Sequence, residues 1–276
     1  MKKRSSIGQW LVTGVVVIVA IAIGVFIWRK ATQVEPTAVT RAPAAAASAG
    51  PAAASSAIRH PIAQAGPAPA TTAPLPALDA SDPSVAEALL GMAGGDRLGG
   101  LLYRDQIIRR IVATVDALPR QSVASNLMPV KPPKGSFVVE PAEGGFVLSP
   151  RNAERYAPYM RVLEGADPQT LVAWYVGHYP LFQQAYRDLG YPHGYFNDRL
   201  VAAIDDMLAA PDLQTPASLV QPKVFFRYAD PALESRSAGQ KMMMRLGPAD
   251  EAKAKAKLRA IRARLTGASL PAPSRS

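Results

Sequence analysis

The 276-residue chain offers little reactive chemistry: three histidines (His60, His178 and His193) and no cysteine. Without cysteine there is no thiol nucleophile, no thiolate metal site and no disulfide framework. No HExxH spacing occurs, and the part of the chain that should fold has no third histidine for a zinc site. Ser-x-x-Lys and Gly-x-Ser-x-Gly nucleophile patterns are absent. The glycine-rich run GGDRLGG from Gly94 to Gly100 lacks the lysine and hydroxyl residue that a phosphate loop needs. Asp205 and Asp206 are neighbours on a predicted helix, about 100° apart around its axis, and so make a poor acid/base pair. One polar constellation stands out: Asn197, Asp198 and Arg199 beside Tyr191 and Tyr195. Read functionally, these five line a polar and aromatic groove for a glycan or peptide. Read structurally, Asp198 caps a helix and Arg199 pairs with a carboxylate. The structural reading carries more weight. No catalytic residue, metal ligand or cofactor is expected, and the chain reads as a binding protein sooner than as an enzyme.

The elements that must position these residues are built on one stretch. Leu171 to Arg199 holds eight of the chain's 19 Phe, Trp and Tyr residues. Aromatic side chains dominate cores and interfaces, so the folded domain should form around it. Leu171, Trp174, Tyr175, His178, Phe182, Ala185 and Leu189 recur at three- and four-residue steps, predicting an amphipathic helix opened by Asp167-Pro168 and ended by Gly190. Pro180 should bend this helix near Val176. Gln183, Gln184, Arg187 and Asp188 should face away from the core. His178 falls on the apolar face, where a core histidine bonded to a neighbour belongs. His193, in the turn Tyr191-Pro192-His193-Gly194, should be exposed.

The rest of the pattern is mainly helical. Asp82-Pro83 marks a helix start, with Val85, Leu89 and Met92 turned inward. Leu101 to Leu118 reads as one helix, with Asp116 on a solvated face beside Arg109 and Arg110. Phe137–Val139 and Phe146–Leu148 around Glu143-Gly144-Gly145 give the one clear hairpin signal, and so short a hairpin should lie on the helices. Ser149-Pro150 opens a helix that Pro158 should kink or divide. A further helix carries Leu200, Val201, Ile204 and Met207. Val220 to Tyr228 reads as a short strand centred on Val224-Phe225-Phe226, or as an extended arm. Helical signals return at Asp230-Pro231 and from Ser237 to Leu246. The last helix buries Ala254, Leu258, Ile261 and Leu265 among six lysines and arginines. Its basic face would suit anionic lipid, but docking by its thin apolar stripe is the stronger reading. The fold class is mainly α: a compact helical domain over 81–265 with one small β-hairpin, then a disordered tail over 266–276.

Ahead of this domain the composition changes. Between Trp10 and Trp28 lie twelve Leu, Ile, Val or Phe residues, and residues 5–28 carry no charge. As a helix these 19 residues rise about 28 Å, close to the hydrocarbon thickness of a bilayer, with a tryptophan at each interface. The run is longer than the roughly 7–15-residue apolar region of a signal peptide and Arg29-Lys30 follow it directly, so an uncleaved anchor over 1–30, entering the bilayer through residues 7–28, is favoured over a signal peptide. The short basic start points to a signal-anchor with the N-terminus inside the cytoplasm. From Ala31 to Ala80 the chain is rich in alanine and proline, with few large apolar groups to offset ordering entropy, and should act as a flexible linker. His60 in this stretch should be solvated. The formal charge of +10 is concentrated at the two ends, because residues 81–250 hold 17 basic and 18 acidic residues. A nucleic-acid reader normally carries a basic face on the fold itself, so nucleic acid is disfavoured as a partner.

The segments YPLFQQAYRDLGYP, YFNDRLVAAIDDML, FRYADPALE and SAGQKMMMRLGP, with RRIVATVDALPR earlier, resemble a proteobacterial family known only as domain of unknown function 3014. The resemblance covers roughly residues 82–265. It implies a membrane-anchored protein of the bacterial envelope and supplies no reaction, ligand or catalytic residue. The expectation is a module tethered to the inner membrane, its domain periplasmic, that binds or scaffolds an envelope protein or the cell wall. A hydrolase or transferase acting on an envelope polymer is the alternative.

Overall fold

The computed structural model describes residues 57–66, 74–92 and 95–267. The expected anchor, residues 31–56 of the linker and the tail beyond Gly267 lie outside the described residues. Among the described residues, no helix is long and apolar enough to cross a membrane.

The domain is mainly helical, with a small antiparallel sheet at one side. The helices are α1 (Asp82–Met92), α2 (Asp96–Gly99), α3 (Ile107–Ala117), α4 (Asn152–Gly165), α5 (Pro168–Asp188), α6 (Phe196–Leu208), α7 (Pro231–Glu234), α8 (Ala238–Arg245) and α9 (Pro248–Leu265). The long helix α5 is central. It packs against α3 and α9, while α6 packs against α3, α8 and α9. The aromatic stretch does form the heart of the core. Phe182 of α5 and Phe196 of α6 are fully buried, with rings stacked at 5.7 Å, and Tyr175 meets Phe182 edge-on at 5.2 Å. Burying each ring fully is worth about 1.5–3 kcal/mol.

Local chemistry sets the helix ends. Pro168 sits in the first turn of α5, and the Asp167 carboxylate accepts from the Thr170 amide at 2.8 Å. Both interior prolines, Pro158 in α4 and Pro180 in α5, are exposed, and both helices run on through them. An exposed ring leaves the freed carbonyl one turn back near water, so Pro158 does not divide its helix as expected. The predicted helix from Leu101 to Leu118 begins six residues later. Leu102 instead forms a β-bridge with Val130, and Gln106 takes a left-handed conformation (φ 52°) at the corner. The α3 amides of Gln106 and Ile107 bond to the Asp82 carboxylate at 2.6 and 2.8 Å. Asp82 thus caps α3 across the fold instead of its own helix.

The expected hairpin is present but belongs to a larger sheet. Strands β1 (Val139–Ala142), β2 (Gly145–Leu148), β3 (Ser218–Val220) and β4 (Arg227–Tyr228) pair antiparallel in sequence order. Phe146 faces Leu219, and Leu219 faces Tyr228. A Cβ on Gly145 would lie 2.9 Å from the Leu219 carbonyl oxygen, so glycine lets β2 and β3 approach. Val224-Phe225-Phe226 lies between β3 and β4, not in a strand, and Phe226 packs edge-on against Phe146 at 5.2 Å. Leu148, Leu219, Tyr228 and Met244 close a small second core beneath the sheet.

The described part of the alanine- and proline-rich linker also packs. Ile62–Ala65 forms a single 3-10 turn against α5 and α9, with Ala65 buried, and Leu78 is buried ahead of α1. These packed residues fall within the stretch from 31 to 80 expected to act as a flexible linker and not to pack.

Candidate functional site

Four of the five residues nominated by sequence, all but Tyr195, divide between two intramolecular assemblies on α6 and the turn before it. The first assembly holds the linker. The Asp198 carboxylate accepts from the amides of Arg59 (3.0 Å) and His60 (2.7 Å). The side-chain amide of Asn197 donates to the His60 carbonyl at 2.8 Å, and its oxygen accepts from the buried Tyr175 hydroxyl at 3.3 Å. Neither residue caps α6: the N-cap position is Tyr195, half-buried, with no side-chain cap bond. His60, expected in solvent, is half-buried with its backbone fixed at both polar atoms.

The second assembly surrounds Asp116, which is buried on α3 and not on a solvated face. Arg199 Nε lies 3.0 Å from Asp116 Oδ1, off the N–H axis, which makes this an ion pair and not a directed hydrogen bond. The same guanidinium donates to the Asp116 carbonyl. Arg120 reaches the other carboxylate oxygen and donates to the Tyr191 hydroxyl at 2.7 Å; that hydroxyl donates to Asp116 at 3.2 Å. The Asp116 carboxylate beside it, opposed by burial, raises the pKa of Arg120 further above its ordinary value. Tyr191 stacks on Tyr186 with centroids 4.6 Å apart. The turn needs Gly194, because a Cβ there would lie 2.9 Å from the Tyr186 ring. Gln183, expected to face solvent, is buried and ties the turn together, donating to the Gly194 carbonyl (2.8 Å) and accepting from the Phe196 amide (2.9 Å) and the Tyr179 hydroxyl (2.8 Å).

The expected pairing of Arg199 with a carboxylate therefore holds, while the expected helix cap does not. With both oxygens of Asp116 occupied by cations and a phenol, that carboxylate is matched as a structural charge. His178 stacks on Trp174 at 4.3 Å, and Nδ1 lies 2.9 Å from the Trp174 carbonyl, which fixes the proton on Nδ1. Burial lowers its pKa, outweighing that bond to the neutral carbonyl. Asp205 pairs with Arg262, and Asp206 accepts from Ser237 and Gln240, so the two adjacent carboxylates serve different neighbours. Among the described residues, no group of three or more His, Cys, Asp or Glu could hold a metal ion.

The sequence pattern does not reveal an apolar cleft that shares no residue with these assemblies. A cleft of about 400 Å³ lies between the start of α4, the 213–217 loop and the α8–α9 corner. Leu148, Pro150, Leu213, Pro216, Met244 and Leu246 contribute its apolar wall. Its residues come from three separated segments, so no local pattern marks them.

A family model described as protein of unknown function (DUF3014) matches residues 107–262, more than half of the chain. The chain belongs to the DUF3014 family. The matched span runs from the first residue of α3 to the last turn of α9, so in this DUF3014 domain it takes in Asp116, Arg199 and the aromatic core. Arg59 and His60, whose backbone Asp198 and Asn197 hold, precede it. No curated protein and no solved structure matches the chain.

Proposed function

We propose that this DUF3014 protein is a membrane-tethered envelope module that binds or scaffolds another envelope component. In this reading residues 7–28 anchor it in the bacterial inner membrane, with the N-terminus cytoplasmic and the domain periplasmic. The observation that carries it is the clasp on the linker. Asp198 and Asn197, the residues best suited in the sequence to acid/base work or ligand binding, spend their polar atoms on the backbone of Arg59 and His60. A tether that ends in a clasp fixes the domain to its linker at one defined point, which serves positioning. The apolar cleft supports the binding half of the reading, since an apolar wall with a few polar groups at its rim is the usual anatomy of a recognition site. Its chemistry suits an apolar peptide segment of an envelope protein.

The test is in-cell crosslinking from a photoreactive residue at Leu213, in the cleft, with a probe at Lys223 outside it as control. The full chain and one starting at residue 57 are compared. One envelope protein captured in stoichiometric amount from Leu213 by both chains supports the scaffold. Wall fragments in its place would favour a hydrolase or transferase acting on an envelope polymer. Asp198→Ala and Arg199→Met separate the two: turnover lost with melting unchanged establishes the enzyme, whereas lost melting returns both residues to structure. We expect the second result.

A further inference from the structure

We propose that a second cavity binds a phosphate-bearing ligand. It measures about 730 Å³ and lies between the Gly100-Leu101 corner, the 131–138 loop and the first turns of α4. That volume is within the usual range for small-molecule sites, roughly 300–1,000 Å³. Four cationic side chains line it, Lys131, Lys134, Arg151 and Arg155, against one acid, Glu154.

The charge is local. The body of the chain from 81 to 250 has 17 basic and 18 acidic residues, so this concentration does not follow from overall basicity. Several basic side chains elsewhere find carboxylates: Arg109 meets Asp79 and Asp188, Lys253 meets Glu164, and Lys255 meets Glu251 and Asp212. Around this cavity none of the four has a carboxylate partner among the described residues. Lys131 donates to the Gly100 carbonyl at 3.0 Å. Arg155 donates to the carbonyls of Lys134 and Gly135 and to Asn152. These are neutral acceptors, and they leave the positive charge uncompensated. The side chains of Lys134 and Arg151 are exposed and make no hydrogen bond or ion pair among the described residues.

The frame is also built in advance. Leu102 and Val130 form a β-bridge, the Lys131 amide donates to Leu101 at 2.7 Å, and the Tyr159 hydroxyl donates to the Lys131 carbonyl at 3.0 Å. A fixed frame lowers the ordering cost of binding. Several like charges around one concavity focus the field on an anion. Guanidinium forks with lysine point charges are the usual recognition set for phosphate oxygens, and a dianion offsets a net +3 lining better than a single carboxylate does. Leu101, Pro132 and Val138 give an apolar wall for the organic part of such a ligand. The phosphate could come from a free small molecule or from a lipid headgroup.

The experiment is calorimetric titration of the full chain, in uncharged detergent at low salt, with inorganic phosphate and separately with dihexanoyl phosphatidylglycerol. Saturable binding of phosphate identifies a free-phosphate site, and binding of the lipid alone identifies the headgroup. In either case the Lys134→Glu/Arg151→Glu pair should weaken binding by more than about tenfold, because two charge-assisted contacts are reversed. Lys223→Glu, an exposed lysine outside the cavity, should leave it unchanged. No saturable binding of either probe, an unaffected double variant, or equal weakening by Lys223→Glu would each overturn the proposal.

Discussion

Asp116 and its partners show how differently neighbouring charges count. Its side chain is 9% exposed, Arg199 25% and Arg120 55%. Removing Arg199 leaves a buried carboxylate with one cation fewer and should cost on the order of 3 kcal/mol, as a drop in the urea midpoint of Arg199→Met. Arg120→Ala removes a largely solvated partner and should cost below about 1 kcal/mol. His178 predicts a pH dependence. Its pKa is lower in the fold than in the unfolded chain because burial disfavours the imidazolium. The unfolded state therefore binds more protons as pH falls below about 6.5, and the fold loses this contribution there until the folded value is reached. Between pH 8 and pH 5, His178→Gln should lose less thermal stability than the parent chain, and equal losses would contradict the assignment. At this scale the sequence was partly readable. The apolar spacing around His178 foretold a histidine bonded to a neighbour, though it lies half-buried and not in the core, and Arg199 did find a carboxylate. Nothing local, however, announced that Asp116 would be that carboxylate, or that Asp198 would bond to residues 138 and 139 positions away.

The same division between local and distant causes appears among the elements. Helices α5, α6, α8 and α9 follow the sequence signals closely, because their apolar stripes lie within one segment, although α6 does not take its expected cap. Strands β3 and β4 have three and two residues, too short to show a period. They exist because β2 supplies an edge some 70 residues earlier. The Leu101–Gln106 segment looked helical because its leucines continue the α3 stripe, but a bridge to Val130 claims it. Two predictions belong here. Gly194→Ala should force Tyr186 and Tyr191 out of their stack, costing about 1–3 kcal/mol by overpacking, with loss of near-ultraviolet tyrosine signal. Asp82→Ala should cost about 1–2 kcal/mol, and the loss should appear as faster hydrogen exchange at Gln106 and Ile107 on α3, not in α1.

For the molecule as a whole, the packed unit reaches back past residue 81 to the clasp at Arg59 and His60. Arg59 is the one basic residue between Arg41 and Arg97, so trypsin reports on the clasp directly. Asp198→Ala removes the acceptor for two amides and should ease local opening by about 1.5–3 kcal/mol, making cleavage after Arg59 more than about tenfold faster while α6 stays protected from exchange. Unchanged cleavage would mean that the clasp contributes nothing to holding the segment. The clasp also decides how the domain responds to force. A pull on the chain ahead of residue 57 meets Arg59 and His60 before it reaches α1. There the load passes sideways into α6, through two amides on one carboxylate and a carbonyl on the adjacent Asn197. Bonds arranged side by side share tension and yield together, so the domain is held by its middle and is not unravelled from its first helix.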